Sequence, residues 1–322
     1  MTRIASLLAA ALLAGCASVP ASREARTVPA LPEAIRAYYD YPRRPIQATA
    51  EPSAPHRAWT ESLVQFPLSV PDEFEPTEPV VEFEWFESAV PGRRPAIVFS
   101  PILGGDYPLE RGFCRFFAAR GYHVALVHRK TLKIKPEEPV ARIEQLLRQS
   151  ILRIRQIVDW LEAHERVDAA RMGGFGISMG GIGGVVVAAV EPRLRAHVVA
   201  MAGGSIPDVL LGSKDSLLTK PIARYLRENS LDRAELHQQL RAVIRTDPLL
   251  LAPYVDRQQV LLFVTLLDRT IGRANALRLR DALGRPKTVF LPLGHYTAVL
   301  AMPLLKRESL RFFRAVFQEN AS

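Results

Sequence analysis

The stretch Arg171-Met-Gly-Gly-Phe-Gly176-Ile-Ser178-Met-Gly180-Gly-Ile-Gly-Gly-Val-Val-Val-Ala-Ala189 decides how the chain reads. Its first half is an apolar run that suits a buried strand. Its second half is a helix of Gly, Ile, Val and Ala. Between them lies the pentapeptide Gly176-Ile-Ser178-Met-Gly180. A sharp strand-to-helix turn that lifts a serine hydroxyl clear of the backbone needs very small flanking residues, and the two glycines supply them.

Outward from this turn, strand and helix patterns alternate. Upstream, Ser62 to Val70 and Pro79 to Glu87 read as an early antiparallel pair, the second with clear alternation in Val80-Val-Glu-Phe-Glu-Trp-Phe. Ala96 to Ser100 and Tyr122 to Val127 read as buried strands flanking a helix from Leu109 to Arg120. Pro139 to His164 carries Ile143, Leu147, Ile151, Ile154, Val158 and Leu161 at three- and four-residue spacing, which predicts a long amphipathic helix. Downstream, strands are expected over Ala196 to Ala202, Val260 to Leu266 and Lys287 to Leu291, with helices over Ala274 to Leu283 and on to Phe317. Such alternation predicts an α/β fold whose sheet is mostly parallel, eight-stranded and covered by helices on both faces. Between the strands near 200 and 263, residues 206–254 are helical in pattern and read as a cap over a pocket at the strands' carboxyl ends.

A serine hydroxyl is a weak nucleophile until a base takes its proton, and the base needs an acid to orient it. Leu293-Gly-His295 follows the last strand and Leu267-Asp268 follows the one before, so Ser178, Asp268 and His295 all fall at strand carboxyl ends. Asp208, which follows the preceding strand, is the rival acid. His123 and His197 fall inside strands and read as core; His56, His164 and His237 read as surface. His128 ends a strand but precedes the serine and reads as pocket wall or loop. An oxyanion needs two backbone N–H donors preset where charge develops. Met179, just after the serine, is one; Leu103, in Pro101-Ile-Leu103-Gly-Gly105 after the first parallel strand, is the other.

In this order and placement the chain resembles the α/β-hydrolase superfamily from about residue 62 to 318, nearest to esterases of the dienelactone-hydrolase-like and platelet-activating-factor-acetylhydrolase-like kinds. Where those enzymes carry His-Gly-Leu-Gly-Gly, this chain has Pro101-Ile-Leu103-Gly-Gly105, so the His and first Gly are replaced. Asp247-Pro-Leu before Ala252-Pro-Tyr is a further shared feature. The resemblance implies a serine hydrolase that cleaves carboxylic esters of small molecules through an acyl-enzyme, and the cap, apolar in part, favours an acyl or lipid-like substrate. Acyl transfer, peptide cleavage by the same triad and a non-catalytic scaffold remain open alternatives.

The remaining features concern address and partners. Met1-Thr-Arg3, the eleven-residue run Ile4 to Ala14 and Leu13-Ala14-Gly15-Cys16 resemble a bacterial lipoprotein signal. The apolar run is too short to span a bilayer core of roughly 30 Å. The resemblance implies removal of residues 1–15, lipid on Cys16 and a cell-envelope location. Ala17 in place of Asp points to the outer membrane. Cys114, the only other cysteine, is expected to be a buried, inert thiol. Residues 16–60, with seven prolines from residue 17 onward, read as a tether holding one short helix around Pro32 to Tyr39. The net charge of +9 comes from 35 Arg and 7 Lys scattered without a basic block or interleaved aromatics. That excludes a nucleic-acid footprint. No His/Cys/Glu ligand cluster and no phosphate-loop lysine occurs, so neither metal nor organic cofactor is expected.

Overall fold

The computed structural model of the chain describes residues 16–53, 56–70, 80–104, 106–129 and 134–319. The expected signal segment, residues 1–15, lies outside them. Among the described residues ten strands form one sheet in the order β1-β10-β9-β8-β7-β5-β6-β4-β3-β2. They are β1 (Ala17–Val19), β2 (Thr49–Pro52), β3 (Trp59–Pro67), β4 (Val80–Ser88), β5 (Arg94–Ser100), β6 (His123–Val127), β7 (Val167–Ile177), β8 (Leu194–Ala200), β9 (Val260–Thr265) and β10 (Lys287–Leu291).

The helices are α1 (Glu33–Tyr38), α2 (Pro108–Ala118), α3 (Ala141–Ala163), α4 (Met179–Val190), α5 (Ile206–Gly212), α6 (Ser216–Glu228), α7 (Arg233–Val243), α8 (Pro248–Leu251), α9 (Arg273–Ala282) and α10 (Met302–Glu319). Strands β6 and β9 are buried along their whole length, as a sheet covered on both faces requires. On β5, Ile97 and Phe99 pack with α2 and α10 on one face. Ala96 and Val98 pack with α3 and α4 on the other. All six periodic residues of α3, from Ile143 to Leu161, are buried.

The expectation of a mostly parallel, eight-stranded sheet is corrected: the sheet is mixed and has ten strands. Strands β5 to β10 run parallel to one another. The β4-β3-β2 meander closes one edge antiparallel, and β1 closes the other against β10. The two unforeseen strands are only three and four residues long and expose most of their side chains. They carry no burial pattern for a sequence reading to find.

The tether reading of residues 16–60 is corrected as well. This segment is strapped onto the body. Tyr39 is 1% exposed and its hydroxyl bonds Thr246 Oγ1 at 3.0 Å. Tyr38 donates to Glu144 at 2.7 Å, and Tyr41 donates to Asp159 at 2.7 Å. Arg26 reaches the carbonyls of Ala252, Pro253 and Ala282. Few of these contacts are apolar and periodic, so the proline-rich composition conceals them.

A tether residue could be truncated at no cost, whereas Tyr39→Ala should destabilise the protein by about 3–5 kcal/mol by emptying a fully packed aromatic site. Urea denaturation of the two proteins measures the difference.

Candidate active site

The turn between β7 and α4 is built by backbone contact. A Cβ at Gly176 would collide with the carbonyl of Gly180, and a Cβ at Gly180 would collide with the carbonyls of Ser100 and Pro101. Without those atoms the start of α4 presses directly on the carboxyl end of β5. Ser178 is thereby held at φ 54°, ψ −116°, a left-handed conformation that a non-glycine residue adopts only under constraint. Its N–H donates to the Ala200 carbonyl at 2.8 Å, and its carbonyl accepts from Ile182 N–H at 2.9 Å.

The loops after β9 and β10 are zipped together by backbone bonds, Leu266 N–H to the Leu291 carbonyl and Leu267 N–H to the Leu293 carbonyl. This brings Asp268 and His295 side by side. Ser178 Oγ lies 2.9 Å from His295 Nε2, and His295 Nδ1 lies 2.8 Å from Asp268 Oδ2. Asp268 is buried and accepts three further bonds, from Thr265 Oγ1 and from the backbone N–H groups of Thr270 and Ile271. Burial works to raise its pKa, but the His295 contact and these donors outweigh it, and the carboxyl sits below its ordinary value.

Asp208 is elsewhere: it bonds His237 and Arg278, each at 2.7 Å. His123 and His197 are buried, and burial lowers both to about 4. His128 does not reach Ser178; it is bonded to Glu82 and Glu84. His164 is half-buried against the rings of Trp85 and Trp160, so the surface reading of that residue holds only in part. Cys114 is fully buried, and burial pushes its thiol well up. Among the described residues no cluster of His, Cys, Asp or Glu is arranged to hold a metal ion.

Ser178 and His295 open into a cavity of about 290 Å³. Leu103 and Met179 line it beside them, and most of the remaining wall is apolar, including Leu109, Leu147, Val209, Leu210 and Met302. Helices α5 and α6 contribute Val209, Leu210 and Leu218 to that wall. Among the described residues one carboxylate lines it, Asp215, which accepts hydrogen bonds from the hydroxyls of Tyr296 and Thr270.

The Leu103 loop is fastened by two residues that the sequence reading did not single out. Glu110, buried in the first turn of α2, accepts from Ile102 N–H at 3.0 Å. Arg129, just past β6, donates to the Ile102 carbonyl. Burial lowers Arg129 to about 10, which leaves it cationic at neutral pH. The Ile102 carbonyl and Leu103 N–H belong to one trans peptide and point in opposite directions. Holding the carbonyl on Arg129 therefore fixes the direction of Leu103 N–H. Arg129 carried no signal in the sequence beyond its place at a strand's end.

No protein-family model matches the sequence, and no curated protein matches it. Solved structures do. An acetyl xylan esterase from Paenibacillus sp. R4 superposes with a TM-score of 0.69 at 14% identity, over 88% of this chain and 92% of that one. Acetyl xylan esterase 1 from Thermoanaerobacterium sp. JW/SL YS485 gives 0.63 at 17% identity, over 87% and 95%. An α/β hydrolase from Penicillium sp. sh18 gives 0.56 at 15% identity, over 80% and 99%. The fold is that of the α/β hydrolases.

Within this α/β-hydrolase fold the glycines of the serine turn have unequal roles. Gly180→Ala should destabilise the protein by about 1–3 kcal/mol or more through backbone collision. Gly184, in the same helix with open space around its Cβ position, should instead gain about 1 kcal/mol on mutation to Ala through helix propensity. Opposite shifts of the thermal midpoint for the two variants would verify the contact.

Proposed function

We propose that the protein is a carboxylic ester hydrolase working through an acyl-enzyme. The observation that carries this reading is the unbroken chain of hydrogen bonds from Ser178 Oγ through His295 to buried Asp268, opening on an apolar cavity. In this reading Ser178 Oγ attacks the ester carbonyl while His295 Nε2 takes its proton. Asp268 holds His295 by Nδ1 and balances the imidazolium charge. The oxyanion is received by the N–H groups of Met179 and Leu103. Collapse expels the alcohol, protonated by His295 Nε2. Water, deprotonated by the same nitrogen, then attacks the acyl-enzyme and frees the acid and Ser178.

The solved neighbours' names point to ester hydrolysis, two of them to acetylated xylan. The cavity here is larger than an acetyl group needs and its wall is mostly aliphatic. That favours a longer acyl chain on a small-molecule or lipid-like ester over a polysaccharide, which presents hydroxyls wanting polar partners. The N-terminal sequence supports lipid attachment at Cys16 and residence in the bacterial envelope, at the outer membrane. No metal or organic cofactor has a role in this chemistry.

A fluorophosphonate probe should label the wild type and not Ser178→Ala, and p-nitrophenyl ester turnover should vanish with the label. Asp268→Asn should retain the fold but lower kcat by about 10³–10⁴-fold. Labelling of Ser178→Ala at the wild-type rate would remove the assignment.

Arg129 acts in this scheme as a positioning residue. Arg129→Met should lower kcat by about tenfold or more, below the cost of deleting an oxyanion donor outright, with KM little changed. Arg129→Lys should restore part of the loss. A change confined to KM or to the thermal midpoint would reduce Arg129 to a structural role.

A further inference from the structure

The exposed apolar side chains of this protein are unevenly placed. Among the described residues eight large ones are exposed, and five of them, Leu217, Leu267, Tyr296, Val299 and Leu300, belong to the segments that frame the cavity mouth. Leu217, Tyr296 and Val299 line the cavity itself. Leu267 immediately precedes Asp268, and Leu300 shares a short 3-10 turn, Thr297–Ala301, with Val299. Exposed apolar groups scattered singly need no explanation, but a rim continuous with an apolar cavity marks an interaction surface.

Two independent observations say what covers it. The first is charge. Lys214 is exposed between α5 and α6, Arg269 in the loop after β9 and Arg273 at the start of α9, and Lys214 N–H bonds the Arg269 carbonyl, which keeps those two residues together. The single carboxylate of the cavity wall, Asp215, is occupied by Tyr296 and Thr270. An apolar rim fringed by cations complements a surface with acyl chains inside and negative charge at the boundary.

The second is where the chain enters the body. β1 runs antiparallel to β10 with Ala17 opposite Phe290, so Cys16 lies level with Leu291 at the carboxyl end of the sheet. Thr265, a ligand of Asp268, pairs with Leu291 on the other side. Cys16 is therefore two strand spacings, about 10 Å, from the strand that ends at the triad acid. A lipid carried by Cys16, as the reading of the N-terminal sequence has it, would leave the body at the carboxyl end of the sheet, the end at which Ser178 and His295 open into the cavity.

We propose that this edge docks on an anionic lipid surface with the mouth turned toward the bilayer, so that the acyl-ester substrate enters directly from the membrane. The substrate half of this inference rests on the ester-hydrolase reading; the docking half does not.

The test uses the full chain, so the N-terminal segment is the same in every sample. Wild type, Leu267→Ser/Leu300→Ser and Lys214→Gln/Arg269→Gln are compared on phosphatidylcholine vesicles with and without phosphatidylglycerol. The readouts are co-sedimentation, hydrolysis of a long-chain umbelliferyl ester carried in the vesicles, and hydrolysis of soluble p-nitrophenyl acetate. The leucine variant should keep the soluble rate but lose about tenfold in the vesicle-borne rate, with weaker sedimentation, as two apolar side chains stop being buried in lipid. The glutamine variant should lose the preference for phosphatidylglycerol. If both variants match wild type on vesicles, the N-terminal segment alone carries attachment and the proposal falls. If wild type hydrolyses neither ester, the hydrolase reading fails, and rim-dependent sedimentation alone decides the docking.

Discussion

A backbone contact governs the site: Gly180 lies against the carbonyls of Ser100 and Pro101, with no room for a side-chain carbon between. Two consequences follow. The serine turn is closed so tightly that Ser178 must take a positive φ, at a conformational cost of about 1–3 kcal/mol that β7 and α4 together sustain. The loop leaving β5 is also brought against the same turn, which sets Leu103 beside Met179 on the cavity wall. Serine exposure and the placing of Leu103 beside Met179 are thus one geometric fact. Any side chain at position 180 would separate them together.

Much of this was legible because it was local. Fully apolar strands such as β6 and β9, and the repeating stripe of α3, announce elements whose burial is continuous. The glycine pentapeptide announces the turn. Asp268 and His295 were legible as strand-end residues, but strand-end position did not by itself exclude Asp208, which the structure gives to His237 and Arg278. What separates the two carboxylates is a set of donors from Thr265, Thr270 and Ile271 that converge only after folding. Composition and spacing do not encode that convergence.

The unread parts share a different cause. β1 and β2 are edge strands whose value lies in main-chain bonds, to which sequence patterns are nearly blind. The strap holding Tyr39 and Tyr41 is fixed by hydroxyls and guanidinium groups reaching carbonyls and carboxylates far away in sequence. Glu110 reads as an ordinary acid in the first turn of a helix, yet it is buried and holds the loop that bears Leu103. Such residues act on backbone atoms more than a hundred residues away or across a loop, so no short window contains both partners.

The same view explains the lopsided basic balance. A guanidinium offers five N–H donors in one plane, so a single arginine can hold two or three carbonyls, which the compact ammonium of lysine does less well. Arg26 binds three carbonyls, Arg166 those of Ser88 and Val90, and Arg257 those of Glu24 and Gly284. Arg148 and Arg155 hold the carbonyls of Tyr38 and Tyr39, and Arg129 holds that of Ile102. With 35 Arg against 7 Lys, much of the positive charge is employed in tying loops and the N-terminal strap to the body. The net charge of +9 is therefore a poor guide to partners taken as a whole. The cations that can bear on an outside partner are those left exposed, and Lys214 and Arg269, beside the residues that line the cavity, are among them.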